Sequence, residues 1–266
     1  MPNPPHKPLN KDRRPRNFLY PDEVKALVEA ARTSRNPVRD GVLIALAFGH
    51  ALQPVEIASL QWQHIHMTEK VEPATLTIYR NRRRGVYRQE LIPDIHILSN
   101  AEVKLLRQLG RDYKGATILF PSERRHRLSP RSLHHIIERA GITAGLEFPI
   151  HPYMVRTAGI LYRAALLLSR MPEVTKRQCH LTWLRYGTFT SLSAQEQQEF
   201  ESIDPSVVEA IWRAIDRMRE FIGLNSYNHT VKYVLQVFTA YPNYERLPAN
   251  FCLPPPSDWV ENLNVR

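Results

Sequence analysis

The sequence predicts a mainly α-helical fold of the α+β type that contains one small antiparallel β-sheet. Two observations lead to this prediction. Most of the 266 residues fall into segments whose apolar side chains recur every three or four positions, often after a proline or a capping residue, as in amphipathic helices. One stretch, residues 75–92, instead combines alternating apolar and polar side chains with a central turn, which is typical of a β-hairpin.

Three helices are expected before this hairpin. Pro21 opens the first, and Asp22 and Glu23 follow near its N-terminus, where negative charge interacts favourably with the helix dipole. Its apolar face consists of Val24, Leu27, Val28 and Ala31. The second helix, near residues 38–49, is almost wholly apolar and is therefore expected to be central. Pro54 opens a short third helix.

The hairpin is predicted to have strands at 75–79 and 86–92, with a very basic turn at 81–85. Ser99 and Glu102 then form a capping-box pattern for a helix that ends near Leu109. Ser129 and Pro130 begin another helix, whose inward face is Leu133, Ile136, Ile137 and Ala140.

Further helices are expected at 152–168, from Asp204 onwards and near 225–239. Residues 170–203 are polar and predicted to be irregular. Residues 1–16 hold five prolines and five Lys or Arg, which predicts a disordered basic arm. Residues 241–266 contain three consecutive prolines and are expected to form an extended tail.

The charge balance favours a polyanionic partner. Lys and Arg number 36 and Asp and Glu 26, so the net charge is +10, which is most often a property of nucleic-acid-binding proteins. No apolar run approaches the roughly 18 residues of a membrane-spanning helix, and the start has no signal-peptide core. Cys179 and Cys252 give neither a metal spacing nor a disulfide framework, so a cytoplasmic, nucleoid-associated location is expected.

Several short motifs occur in the order found in the catalytic domain of the tyrosine recombinases, the phage integrase family. They are RNFL at 16–19, GHALQPVEI at 49–57, LQWQHI at 60–65, ILFPS at 118–122 with LS at 128–129, IHPYMVR at 150–156 and FIGLNSYNHTVKY at 221–233. The opening resembles the small fimbrial phase-variation recombinases in particular. The resemblance implies a helical DNA-binding domain with a small antiparallel sheet.

The resemblance also predicts the domain boundaries. It extends over about 17–159 and 212–240, so residues 17–240 are expected to form one recombinase-like DNA-binding domain. Arg156 and Gly223 are 67 positions apart, far more than is usual between these two motifs in the family. An insertion is therefore expected at 160–211. A rival alignment that takes Tyr186 as the nucleophile removes the insertion but loses the glycine and the HTVKY run, and is rejected.

In the family, a tyrosine attacks a DNA phosphate, two arginines stabilise the added negative charge, histidines assist, and a lysine on the hairpin protonates the leaving oxygen. By resemblance, Gln53 stands at the first-arginine position, Tyr153 at the first-histidine position and Leu224 at another histidine position. Thr157 follows the second arginine, where histidine is common. Arginines 82 and 83 replace the lysine, and arginine is a very weak acid. These departures predict a degenerate site.

Two members of the set remain, Arg156 and Tyr233. Arg156 is expected to hold a phosphate, although a salt bridge under the nearby helix is the alternative. Tyr233 is either the nucleophile or an aromatic residue retained for packing, and the neutral neighbours at 53 and 224 favour packing.

The predicted DNA-binding residues form three basic groups. The hairpin group, suited to phosphate or minor-groove contact, is Arg80, Arg82, Arg83, Arg84 and Arg88. The second group, Arg124, Arg125, Arg127 and Arg131, flanks a helix that also carries His134 and His135. The arm group is Lys7, Lys11, Arg13 and Arg14, followed by Arg16. The alternative for each group is a solvated charge run.

No cofactor or metal is expected. The pairs His64–His66 and His134–His135 could each supply two metal ligands, but neither pair has a nearby carboxylate or cysteine at ligand spacing.

The leading hypothesis is a degenerate recombinase that recognises a double-stranded DNA site without cleaving it and serves a mobile element in target-site recognition, integration or transposition. Protein partners such as a transposase complex would use 160–211 or the C-terminal tail. The alternatives are an active or weakly active recombinase with Tyr233 as nucleophile, and a scaffold that does not bind DNA.

Overall fold

The computed structural model describes residues 15–67, 73–84, 88–169, 172–187, 192–224 and 226–240; within these ranges the side chains of 81–84, 88–90, 167, 186, 187, 239 and 240 are not described. The elements are mostly helices with one three-stranded antiparallel sheet, which confirms the predicted fold class. The chain divides into two compact units, residues 1–63 with 102–159 and residues 64–101 with 160–266. Among the described residues, no helix is both long and apolar enough to cross a bilayer.

Unit 1 consists of helices that begin where the sequence predicts. They are α1 (Pro21–Ala31), α2 (Pro37–Gly49), α3 (Pro54–Ser59), α4 (Asn100–Asp112), α5 (Pro130–Thr143) and the start of α6 (Pro152–Ser169). Four of the five helices named before α6 begin at a proline, which is favoured at the first position of a helix because its missing N–H would have no partner there. At α5, the Ser129 hydroxyl also accepts a hydrogen bond from the Ser132 backbone N–H.

Helix α2 is the centre of unit 1. Every residue from 39 to 49 is buried, as its apolar sequence predicts. Helix α6 crosses it closely at Gly159, where an added Cβ would lie 2.1 Å from the Phe48 carbonyl oxygen. This crossing therefore requires glycine, since any larger residue would meet rigid backbone.

Polar side chains inside unit 1 are paired. Arg39 and Asp40 form a buried ion pair of 2.7 Å, and Arg39 also donates to the Pro121 carbonyl at 2.8 Å. His50 lies 3.1 Å from the Glu102 carboxylate, and both are buried. The contacts of Arg39 with Pro121 and of His50 with Glu102 join distant parts of the chain. They also supply partners to buried polar groups, which would be costly to bury unmatched.

The sheet lies in unit 2. Its strands are β1 (Ile65–His66), β2 (Thr75–Arg84) and β3 (Arg88–Ile97), paired antiparallel in the order β1-β2-β3. The predicted turn at 81–85 is wrong, because positions 81–84 continue β2 and pair with 88–91. The two-residue strand β1 was not predicted, since so short a strand leaves no periodic pattern.

The prediction that residues 170–203 are irregular is also wrong. They contain α7 (Glu173–Gly187) and α8 (Ala194–Glu201), followed by α9 (Pro205–Ile222) and α10 (Tyr227–Ala240), which were expected. The buried positions of α7 hold Lys176, Cys179, Leu181, Thr182 and Trp183. Because polar and apolar side chains alternate irregularly at these buried positions, the sequence shows no apolar repeat of helical period.

Candidate nucleic-acid interface

The first-arginine position lies at the N-terminus of α3. Gln53 is the residue before the helix and is half-buried; its backbone N–H donates to the Glu56 carboxylate at 2.7 Å. Ala51, two residues earlier, has a φ of 49°, in the left-handed region that residues with a Cβ adopt at some cost. The segment 51–53 is thus held in one defined conformation by its own helix.

Arg156 on α6 closes this arrangement. Its guanidinium Nη1 donates to the Ala51 carbonyl and lies 3.7 Å from the Glu56 carboxylate, and the residue is only 4% exposed. Both contacts fit the alternative of a buried ion pair that the sequence left open. Phosphate binding by Arg156 stays a prediction.

The local charge follows from these contacts. Arg156 contributes one positive charge and Glu56 one negative charge within the same buried site, while Gln53 contributes none. The ion pair is therefore balanced before any phosphate arrives. The phosphate gains negative charge in the transition state. To stabilise that added charge, the site needs more positive charge than binding the phosphate diester requires.

Tyr153, at the first-histidine position, belongs to a group of three neighbouring rings. The ring of Tyr153, which is half exposed, stacks on His151 with centroids 5.6 Å apart and an interplanar angle of 13°. His151 in turn lies 4.9 Å from His134 on α5. Thr157, the residue after Arg156, is buried. Tyr153 therefore faces outward, but as a phenol it is a poor base near neutral pH.

The second basic group lies on the loop before α5. Arg125 takes a left-handed φ of 61° in a tight turn, in which its N–H donates to the Ser122 carbonyl at 2.8 Å. Arg124, Arg125 and Arg131 are exposed. The Arg127 Nε donates to the Ala58 carbonyl at 2.6 Å, so this residue ties the loop to the C-terminal end of α3.

The histidines on α5 have an acidic neighbour. His134 and His135 lie 3.8 and 3.5 Å from the Glu138 carboxylate. Among the described residues, no group of three His, Cys, Asp or Glu side chains is arranged to hold a metal ion.

Arg80 does not lie where the sequence led us to expect. It was assigned to the phosphate-binding surface of the hairpin, but it is 2% exposed and its Nη1 donates to the carbonyls of Glu220 and Phe221 at the end of α9. It also lies 3.3 Å from Asp94. Burial corrects the expected role: Arg80 caps a helix inside unit 2.

For the other arginines of the hairpin group, the structure describes the backbone positions only. Residues 82, 83 and 84 lie on β2 opposite 90, 89 and 88, and the side chains of Arg82, Arg83, Arg84 and Arg88 lie outside the described part of the structure. Lys7, Lys11, Arg13 and Arg14 lie outside it entirely. Arg16 is described, and it pairs with Glu23 rather than extending from the molecule.

The nucleophile segment belongs to unit 2. Gly223 ends α9 with a left-handed φ of 72°, Leu224 follows it half-buried, and Tyr233 lies half-buried on α10. Arg156 belongs to unit 1. Their convergence on one phosphate stays a prediction.

Residues 17–169, more than half of the chain, match the phage integrase family. The chain belongs to this family. The type 1 fimbriae regulatory proteins FimB and FimE of Escherichia coli (strain K12) are 31% and 30% identical to it over 150 and 146 residues, and each alignment covers 54% of this chain and 70% of the relative. The resemblance to the tyrosine recombinases and to their fimbrial members is thereby confirmed.

Solved recombinase structures share the fold of this family member. XerA recombinase has a TM-score of 0.53 at 16% identity, covering 93% of this chain and 67% of its own. XerH recombinase, solved bound to its difH substrate in a pre-cleavage complex, has a TM-score of 0.52 at 15% identity, covering 82% of this chain and 50% of its own. At these identities the likeness shows the fold alone.

Glu56 is the site residue that sequence reasoning missed. Gln53 and Glu56 have the spacing of an N-terminal cap, with an acidic residue three positions after the capping residue, so the signal was present. The pairing of the Glu56 carboxylate with Arg156, 100 positions further on, is visible only in the fold.

Proposed function

We propose that this chain is a site-specific double-stranded-DNA-binding protein of the tyrosine recombinase family that does not cleave the DNA it recognises. Its role would be target-site recognition, or integration and transposition of a mobile element. The observation that carries the proposal is the balanced pair of Arg156 and Glu56 beside the uncharged Gln53. A site with no excess positive charge can hold DNA nearby but stabilises a phosphorane-like state poorly.

The other substitutions support the same conclusion. Loss of a single preorganised donor costs about 10²- to 10³-fold in rate, and here the charge of the first arginine is absent as well. Tyr153 and Leu224 stand where the family has histidines, and neither group serves as a base at neutral pH. Arginine at the lysine position does not release a proton readily.

DNA binding itself is supported by charge and by relatives. The net charge is +10, and Arg124, Arg125 and Arg131 are exposed close to one another in sequence on the loop and first turn of α5. XerH, which shares the fold, was solved on its DNA substrate. Phosphate contacts of this kind position a protein on duplex DNA.

The domain boundaries complete the proposal. Residues 17–240 would form the DNA-binding domain, 1–16 a basic arm and 241–266 a tail. The segment 160–211, which the sequence predicts to be an insertion relative to the family, includes the end of α6, α7, α8 and the start of α9. Transposase or recombinase complex proteins would contact this segment or the tail, and the protein would be nucleoid-associated.

The second candidate is an active or weakly active recombinase. It is favoured by Tyr233, which stands at the nucleophile position within an HTVKY run, and by the retained Arg156. In this case Tyr233 would form a covalent phosphotyrosine with DNA, and the arginine would contact the same phosphate.

Covalent capture separates the two candidates. A bound site would first be selected from a random-sequence duplex library with the full chain, and then be supplied as a nicked suicide substrate. The proposal predicts a shifted complex in the gel and no denaturation-resistant adduct for the wild type. An adduct that disappears in Tyr233→Phe would establish the active recombinase instead.

A salt series tests DNA binding by itself. For a protein that neutralises phosphates, the logarithm of the binding constant falls linearly with the logarithm of salt concentration, with a slope of about −0.9 for each phosphate. A slope near zero would contradict phosphate contact and favour a scaffold that does not bind DNA.

A further inference from the structure

A cavity of about 550 Å³, partly open to solvent, lies within unit 1, and we call it the α1–α5 cavity. It is lined by the end of α1, the segment 33–36, the loop before α5 and one side of α5. Its volume falls in the range of about 300–1,000 Å³ that is usual for sites of small organic ligands. All of its lining residues belong to unit 1, so one compact part of the chain forms the whole cavity.

The lining of the α1–α5 cavity carries excess positive charge. Among the described residues, four arginines line it, against the two carboxylates of Asp40 and Glu123. The Asp40 carboxylate accepts hydrogen bonds from Arg39 and from the Ser34 hydroxyl, each at 2.7 Å. The Glu123 carboxylate lies 3.0 Å from Arg35. Both carboxylates are thus already paired, and the lining attracts an anion rather than a cation.

The other two arginines of the lining are Arg124, on the loop before α5, and Arg139, in the second half of that helix. Both are exposed. Within the described ranges, neither guanidinium has an ion pair or a hydrogen bond with another protein group. A guanidinium binds two oxygens of one phosphate through parallel hydrogen bonds. Two unpaired guanidinium groups at one cavity therefore match a ligand that carries two negative charges.

The neutral part of the lining is rich in hydroxyl groups, each of which can donate or accept a hydrogen bond. The hydroxyl side chains are Thr33, Ser34, Ser122, Ser132 and Thr143. The described lining includes no Phe, Tyr or Trp, the side chains on which a nucleobase usually stacks. These features favour a ligand with several hydroxyl groups over a nucleotide.

We propose that the α1–α5 cavity is a binding site for a small sugar phosphate, in which a phosphate monoester is carried on a body with several hydroxyl groups. Arg124 and Arg139 bind the dianionic phosphate, and the serine and threonine side chains of the lining hydrogen-bond to the sugar. A phosphodiester of duplex DNA fits less well, because it carries one charge and its sugars have no free hydroxyl group within the strand. The site is therefore distinct from the proposed DNA contacts, with which it shares only Arg124.

Isothermal titration calorimetry of the full chain with ribose 5-phosphate, without DNA, tests this inference. The titration is run at pH 8, where a phosphate monoester carries about two negative charges. We expect a dissociation constant of about 1 mM or tighter, as is usual for a ligand of this size. Inorganic phosphate should bind at least about tenfold more weakly, since it lacks the hydrogen bonds of the sugar. Ribose alone should show no binding, and AMP should bind no more tightly than ribose 5-phosphate.

Three variants that each remove one positive charge locate the site. Arg124→Met and Arg139→Met should each weaken ribose 5-phosphate binding by about tenfold or more, because each loses a charge-assisted contact. Arg111→Met is the matched control, since Arg111 is exposed on α4 in unit 1 and lies outside the lining. This control should keep the affinity of the wild type. All three arginines are exposed, so urea unfolding should show that the variants fold as stably as the wild type.

Several results would overturn the inference. A wild type that does not bind ribose 5-phosphate has no such site, and equal weakening by Arg111→Met would mean that net charge alone attracts the ligand. Inorganic phosphate that binds as tightly as ribose 5-phosphate would contradict a role for the sugar, and tighter binding of AMP would contradict the choice of ligand. Because the titration contains no DNA, its failure and the failure of DNA binding are separate outcomes.

Discussion

Arg156 and Glu56 form a buried ion pair that also fixes the backbone of residues 51–53. The Ala51 carbonyl accepts from the arginine, and the Gln53 N–H donates to the carboxylate. Removal of one buried partner leaves the other charge uncompensated, which is more costly than removal of both. The pair thus links the stability of unit 1 to the same residues that the family uses for chemistry.

Stability measurements on three variants test this linkage. Arg156→Met should lower the free energy of unfolding by about 3–5 kcal/mol, because it strands the Glu56 carboxylate. Glu56→Gln should lower it as well, while keeping an acceptor for the Gln53 N–H. The double variant should lose less than the sum of the two in urea unfolding. Additive losses would mean that the two charges do not interact.

Arg80 shows how burial changes the role of an arginine. Replacement by methionine keeps the apolar stem but removes the donors to Glu220 and Phe221 and leaves Asp94 without this partner. We expect Arg80→Met to cost about 2–4 kcal/mol of stability and to leave the salt slope of DNA binding unchanged.

Arg131→Met is the matched comparison for Arg80, since Arg131 is exposed in the first turn of α5. This variant should change stability little and reduce the salt slope by about one. The assignment of Arg80 to the interior would fail if the two variants exchanged these effects.

Helix starts are the elements that sequence predicts best, because their signals are local. The proline at position 21 and Ser129 before Pro130 mark α1 and α5 correctly. Helix α7 was not predicted because two of its buried residues are polar and find their partners within the helix. Lys176 pairs with Glu173, and the Thr182 hydroxyl donates to the Gln178 carbonyl. No hydrophobic pattern records such contacts.

The crossing of α2 and α6 gives a sharp test of packing. In Gly159→Ala the new methyl would lie 2.1 Å from the Phe48 carbonyl oxygen, so the helices must move apart, at a cost of about 3 kcal/mol or more. Gly41→Ala is the control, because its methyl would meet the flexible Arg32 side chain at 3.1 Å and gains up to about 1 kcal/mol in helix propensity. Thermal unfolding of both variants would reveal the difference; equal stability would refute the close crossing.

Helix α7 carries a thiol that reports on its own packing. Burial raises the pKa of Cys179 to about 12, so the reactive thiolate is scarce near neutral pH. In a Cys252→Ser background, Cys179 should resist a disulfide reagent in the folded protein and react fully after unfolding in urea. Rapid reaction of the native protein would contradict the burial of this helix face.

At the scale of the whole molecule, net charge indicated a polyanionic partner, and the ordered motifs indicated the family. Neither could reveal that Arg80 contacts residues 140 positions further along the chain, because such a contact exists only after folding. The motifs point to Gln53 and Arg156 as site positions, but not to the Glu56 carboxylate, which lies 3.7 Å from Arg156. Local patterns therefore predicted the elements, and long-range pairing determined what the charged residues do.

The basic arm is a property of the whole chain that can be measured directly. Deletion of residues 1–14 removes four Lys or Arg side chains, so the salt slope of DNA binding should fall by about three to four if each contacts a phosphate. An arm of equal length made of glycine and serine is the control for chain length. An unchanged slope would show that the arm does not follow the DNA.

Six of the ten α-helices in the described ranges begin at a proline, at positions 21, 37, 54, 130, 152 and 205. A proline at the first turn fixes φ and has no N–H to leave unsatisfied, so each start is determined by a residue that need not contact any ligand. Gln53 stands directly before one of them, and the helix begins there whatever side chain precedes it. The start of this helix and the chemical group at position 53 are thus encoded by different residues, so the side chain at that position can be exchanged while the helix survives.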